Sequence, residues 1–309
     1  MSLSDYVQPL EYDSQVVAFY SYKGGVGRTM AMCNVASQIA WSHAKRLSKK
    51  SKSSSHEPVP PCRILCVDLD LEAPGVPAFF PPPSSAKVKG FLGLLNEYFR
   101  GEDEWGDNEG IKDQLRNALG ENFADYAYAV PKTDNLFVLP SGHVSVAAAA
   151  RVRNELHKRL AVLREADSKN QYNQYVPFFS ELKGVLRELF DYAFVDARTG
   201  LSDTAYATTV ALADLMVFLF RPNITQLMGI QDVFGRFLRQ RGLSLALNTR
   251  IPAIPVLSPR PNYSTPRLKK VREAAASRVF RWLDTDAKSL GLTEQDPYSP
   301  YLPKLLELP

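Results

Sequence analysis

Six short runs of apolar, β-branched or aromatic residues punctuate the chain: QVVAFYS (15–21), RILCVDL (63–69), NLFVLP (135–140), YAFVDA (192–197), LMVFLF (215–220) and AIPVLS (253–258). Their apolar character is continuous rather than alternating, so they read as strands covered on both faces, the habit of a parallel sheet. Segments of helical period lie between them, opening at Arg28 and near Phe91, Ile111, Val144, Pro177, Asp203, Thr225 and Thr265. Before the last of these, Ser264 suits a cap and Pro266 a first turn. Strands alternating with helices predict an α/β fold: a doubly wound, mostly parallel sheet flanked by helices in three layers. ADYAYAVP (124–131) against NLFVLP, turning at Lys132 to Asn135, predicts one added antiparallel pair.

Two segments interrupt this rhythm. KRLSKKSKSSSHEPVPP (45–61) is basic, Ser-rich and Pro-terminated, and reads as a solvated helix end running into a flexible insertion. FFPPPSSAKVKG (79–90) reads as a rigid loop leaving the second strand. With 309 residues, 45% of them hydrophobic, a single domain over 1–309 is the expectation. The net charge of +4 falls short of a dedicated nucleic-acid binder. The first fifteen residues lack the basic flank and apolar core of a secretory signal. ALADLMVFLF, interrupted by Asp214, is too short to span a bilayer. A cytoplasmic protein with no transmembrane segment follows. Cys33, Cys62 and Cys66 have no paired metal spacing and read as reduced, buried thiols.

The chemistry begins at the first strand. In YSYKGGVGRTM (20–30), Gly24, Gly25 and Gly27 stand between a strand end and a helix opening at Arg28 and Thr29. Such a turn gathers backbone N–H groups and the positive end of a helix dipole into one concavity, which suits a polyphosphate. The loop from Lys23 through Gly24, Gly25, Val26, Gly27, Arg28 and Thr29 to Met30 is therefore the candidate nucleotide cradle, with the Thr29 hydroxyl a candidate ligand for Mg²⁺. The strict phosphate-loop pattern fails at two places: Tyr22 replaces its first glycine and Arg28 its lysine. Glycines alone would fit an ordinary β–α turn.

Two further strand ends strengthen the reading. CVDLDLEAPG (66–75) carries Asp68 and Asp70 spaced by two, which on an extended chain places both carboxylates on one side. YAFVDARTG (192–200) ends a strand at Asp196, with Gly200 four residues on. A carboxylate there can hold Mg²⁺ through water, and a glycine N–H can meet a terminal phosphate.

KGGVGRT, DLDLEAPG and DARTG, with NLFVLPSG between the last two, resemble the ParA/MinD family of deviant-Walker P-loop ATPases, which also takes in arsenical-pump and tail-anchored-protein-targeting ATPases. The likeness runs from about Gln15 to at least Pro259. It implies ATP and Mg²⁺ as cofactors and a homodimer with ATP sandwiched, Lys23 crossing into the partner's site. It assigns Asp70 to orienting the attacking water, Asp68 to the neighbourhood of the metal, and Asp196 to the Walker B acid. Ser258, Pro259 and Pro261, after the last strand, fall where the family holds the base.

Arg28 keeps a positive charge and can grip phosphate through its fork, so binding should survive. A planar guanidinium does not reproduce the position of a compact ammonium, and hydrolysis should suffer. The expectation is a slow, dimer-dependent ATPase with Lys23, Asp70 and Arg28 as catalytic residues, acting as a switch that recruits or regulates an unknown partner protein. The KGGVGRT variant resembles a bacterial subset found in multi-component signalling or defence systems. Two other readings stand beside it: a hydrolysis-deficient nucleotide-binding adaptor, and an ATP-gated DNA-binding partition protein using the basic helix 264–283 and the Lys45–Lys52 run. DNA is the less favoured partner, because Leu268, Val271, Ala275, Val279 and Leu283 give that helix one apolar face and leave its cations to water.

Overall fold

The computed structural model describes residues 14–50, 62–71, 73–84, 86–101, 107–143, 145–165, 177–200, 212–221, 226, 229, 253–258 and 306–307. The strands are β1 (Gln15–Ser21), β2 (Ile64–Asp68), β3 (Tyr128–Ala129), β4 (Leu136–Leu139), β5 (Tyr192–Asp196), β6 (Leu215–Phe220), β7 (Ala253–Leu257) and β8 (Leu306–Glu307). They form one sheet in the order β3-β4-β2-β5-β1-β6-β7-β8. Every pairing is parallel except β3 with β4. This is the predicted doubly wound α/β architecture. The predicted hairpin is present too, and its turn places Lys132 at φ 66°.

Helices cover both faces, and the strand residues divide between them with period two. Val16, Leu65, Val67, Ala193 and Val195 face a core shared with α3 (Gly90–Arg100), α4 (Asn108–Arg116) and α7 (Pro177–Leu189). Val17, Phe19, Ile64, Cys66 and Phe194 face the opposite way, onto α1 (Arg28–Lys50) and α2 (Val76–Phe79). Apolar burial on both sides explains why the strands lack polar alternation. A wider turn over Asn117–Glu121 and the short α5 (Phe123–Tyr126) extend the first layer, and α6 (Val146–Glu165) follows β4.

The helices expected near Asp203, Thr225 and Thr265 lie outside the described residues, apart from helical backbone at Gln226 and Gly229. The insertion after Lys50 lies outside them as well, whereas its first part continues α1 to that residue. Among the described residues no helix is long and apolar enough to cross a membrane.

Candidate functional site

β2, β5 and β1 are consecutive neighbours in the middle of the sheet, and their register aligns Asp68 with Asp196 and Asp196 with Phe19. The three loops predicted to carry chemistry therefore leave one rim side by side, at the carboxyl edge where open α/β sheets bind ligands. Between Ser21 and Arg28 the chain turns through Gly25 and Gly27, at φ 74° and 79°, conformations that L side chains rarely adopt. Val26 is buried and anchors the turn in the second core, while Lys23, Gly24, Gly25 and Met30 are exposed.

Arg28 and Thr29 tie this loop to the acids. The Thr29 hydroxyl donates to Asp196 Oδ2 at 2.6 Å. Arg28 Nε donates to Asp196 Oδ1, and Arg28 Nη2 to Asp70 Oδ2 at 3.2 Å. Asp196 is fully buried and Arg28 only 7% exposed, so these charges meet away from water, where removing either partner is strongly destabilising. Among the described residues, Arg28 Nη1 is buried with no hydrogen-bond partner. Burial pushes the Asp196 pKa above the ordinary carboxylate range, and the charge and hydrogen bond of Arg28 and the hydroxyl of Thr29 oppose it.

Asp68 has a different setting. Its Oδ2 accepts from the backbone N–H of Gly75 at 2.9 Å and of Val76 at 3.0 Å, and its Oδ1 from the N–H of Asp70 at 3.2 Å. Asp68 thereby holds the turn that carries Asp70 to Arg28 and organises the first turn of α2. Burial pushes its pKa up to about 7; the backbone N–H of Val76 pulls it down and the Asp196 charge pushes it further up. Asp70 Oδ1 accepts in turn from Ala73 N–H at 3.3 Å.

Gly200 closes the base of the site. Its N–H donates to Ser21 O at 3.3 Å and its carbonyl accepts from Tyr20 Oη at 2.9 Å. Ser258, buried at the end of β7, brings its Oγ within 3.6 Å of the place a Cβ would take on Gly27. Lys23, the glycines, Arg28, Thr29, Asp68, Asp70, Asp196, Gly200 and Ser258 thus gather around one rim, whereas Pro259 and Pro261 lie outside the described residues.

Three residues of the site escaped the sequence reading. A Cβ on Gly75 would stand 3.1 Å from Thr29 Cγ2, so the last glycine of DLDLEAPG is a contact surface for the Thr29 side chain. Arg221, just beyond β6, donates from Nη2 to the carbonyl of Gly25. The Tyr22 ring lies on Gly229, where a Cβ would fall 2.1 Å from Cε1. The aromatic substitution at the start of the loop is thus matched by a glycine some two hundred residues away, a pairing that no local pattern signals.

Hard oxygen donors, a hydroxyl and a carboxylate 2.6 Å apart beside a glycine turn, fit a magnesium ion that takes its other ligands from phosphate and water. No family model and no curated protein matches the chain. Solved structures of similar fold include apo McdA of Cyanothece, at 16% identity over 93% of this chain and 96% of that one, TM-score 0.54. The ATP complex of a point variant of Cyanothece McdA is 14% identical over 94% and 93%, TM-score 0.52. A ParA family ATPase from Chlorobium tepidum TLS is 14% identical over 84% and 80%, TM-score 0.47. At these identities the likeness to McdA establishes a shared fold.

Proposed function

We propose that the chain is a Mg-ATP-binding switch of the ParA/MinD type, hydrolysing ATP slowly and as a dimer. The observation that carries this reading is the 2.6 Å bond between Thr29 and Asp196, which ties the glycine turn to the acid at the end of β5. The variant McdA structure of the same fold is an ATP complex, which agrees with it.

Backbone N–H groups of the Gly24–Gly27 turn and the N-terminus of α1 hold the phosphates by hydrogen bonding and dipole attraction. Arg28 adds a forked cation, and its unpartnered Nη1 has room in its hydrogen-bonding capacity for a phosphate oxygen. Thr29 and Asp196 would hold magnesium, which when bound neutralises developing charge across the phosphate oxygens. Asp70 orients the attacking water. Lys23, exposed on the rim, reaches the equivalent site of a second copy. Asp68 serves by fixing the turn that presents Asp70.

ATP turnover measured against protein concentration tests this for wild type, Lys23→Ala and Arg28→Lys. Turnover per subunit should rise with concentration and collapse in Lys23→Ala; flat turnover that Lys23→Ala leaves intact would remove the sandwich dimer. One observation favours a second reading, a hydrolysis-deficient adaptor: Arg28 engages both Asp70 and Asp196, the acids that hydrolysis would use. Turnover in wild type no greater than in Asp70→Ala would select the adaptor. Helix 264–283, on which the DNA-binding reading rests together with the Lys45–Lys52 run, lies outside the described residues.

A further inference from the structure

The acids of this site have no idle oxygen. Asp68 Oδ1 and Oδ2 accept backbone N–H groups, as does Asp70 Oδ1; Asp70 Oδ2 and Asp196 Oδ1 accept from Arg28, and Asp196 Oδ2 accepts from Thr29. Two of these six places belong to a single guanidinium. We propose that Arg28 is the site's built-in counter-ion: in the nucleotide-free protein it excludes divalent cations from Asp70 and Asp196, and it yields them when a phosphate-bearing ligand draws it away. The inference rests on the nucleotide reading above and adds an order to it, in which metal enters with the phosphates and not before them.

A planar fork can satisfy two carboxylates at once through different nitrogens, whereas an ammonium is a compact point charge. Arg28 does this with Nε on Asp196 and Nη2 on Asp70, its side chain 8% exposed. A divalent ion arriving at Asp196 Oδ1 would compete for an occupied oxygen and sit against a positive group in a low-dielectric setting, where like charges repel strongly. The same fork retains an acceptor-seeking group, because Nη1 is buried without a partner among the described residues. A buried N–H group left unpaired is costly, so an anionic oxygen presented there is favoured. Phosphate is thus attracted to the side chain that blocks the metal, and moving the guanidinium toward it frees both acids together.

The test uses Mn²⁺ as the metal probe on nucleotide-free protein, read by electron paramagnetic resonance and calorimetry, in wild type, Arg28→Gln and Arg28→Lys, each with and without Asp196→Asn. Arg28→Gln should bind Mn²⁺ at least about tenfold more tightly than wild type, through Asp196, since the repelling cation is gone, and Arg28→Lys, which keeps the charge but loses the two-carboxylate fork, should bind it more tightly than wild type and less tightly than Arg28→Gln. Mn²⁺ should also raise the melting temperature of Arg28→Gln and leave that of nucleotide-free wild type unchanged. Adding ATP to wild type should restore Mn²⁺ uptake. Nucleotide-free wild type that binds Mn²⁺ saturably and loses that binding in Asp196→Asn would overturn the proposal, and this arm needs no variant at Arg28 to fold. Where Arg28→Gln does not fold, Arg28→Lys, which retains a charge among the acids, makes the comparison. The nucleotide reading fails separately, if wild type takes up no ATP in the presence of Mn²⁺.

Discussion

Replacing Asp68 separates the work of two aspartates that the sequence presents as a pair. In Asp68→Ala the N–H groups of Asp70, Gly75 and Val76 lose their acceptor in a setting where Asp68 itself is fully buried. At about 1 kcal/mol for each bond left unmade, the loss is about 3 kcal/mol of folding stability. Asp68→Asn keeps one acceptor oxygen; if it serves Gly75 and Val76, only the Asp70 bond is lost, at about 1 kcal/mol. Chemical denaturation followed by circular dichroism measures both. The pH dependence distinguishes them further. Burial above all lifts the Asp68 pKa from 3.8 to about 7, so the folded protein keeps a proton that the unfolded chain gives up. The folded state binds more protons across that window, hence the Asp68 contribution makes stability fall as pH rises from about 4 to about 7. Asp68→Asn should lose this component of the slope. The reasoning is refuted if Asp68→Ala is destabilised by less than about 0.5 kcal/mol, the size of an ordinary surface substitution, or if Asp68→Asn keeps the full slope.

Further predictions follow from other parts of the molecule. Gly229→Ala should displace the Tyr22 ring, since the added methyl would fall 2.1 Å from Cε1, and should weaken nucleotide binding measured by calorimetry. Burial pushes the thiols of Cys33 and Cys62 up to about 12 and that of Cys66 well above its usual value, so at pH 8 the native protein should react slowly with a thiol reagent and rapidly once unfolded in urea. Phe91→Ala should cost about 3–5 kcal/mol in denaturant titration, because Phe91 is 1% exposed and packs on Phe178 and Phe179.

The sheet was legible because burial on both faces leaves an unmistakable mark: all six predicted strands appear, with ends differing by a residue at most. The short elements left no such mark. α2 has four residues and a glycine at its N-cap, with no capping side chain of its own, and the turn over Asn117–Glu121 departs from the ordinary helical period. Within the site, the spacing of Asp68 and Asp70 implied carboxylates with a shared direction and a shared task. β2 ends at Asp68, so alternation no longer governs Asp70, and the first acid turns back to bind the backbone of the second. By its place in the loop, Arg28 reads as a hand for phosphate. In the folded chain the opposite charges within its reach are Asp70 and Asp196, a competition between distant strand ends that only the sheet order reveals.

The central claim is that these loops hold Mg-ATP, and isothermal titration of the protein with ATP and Mg²⁺ tests it most directly. Saturable binding that Thr29→Ala and Asp196→Asn weaken sharply, in variants shown to be folded, is the predicted result. Absence of binding heat across several temperatures, or binding indifferent to both substitutions, would contradict it.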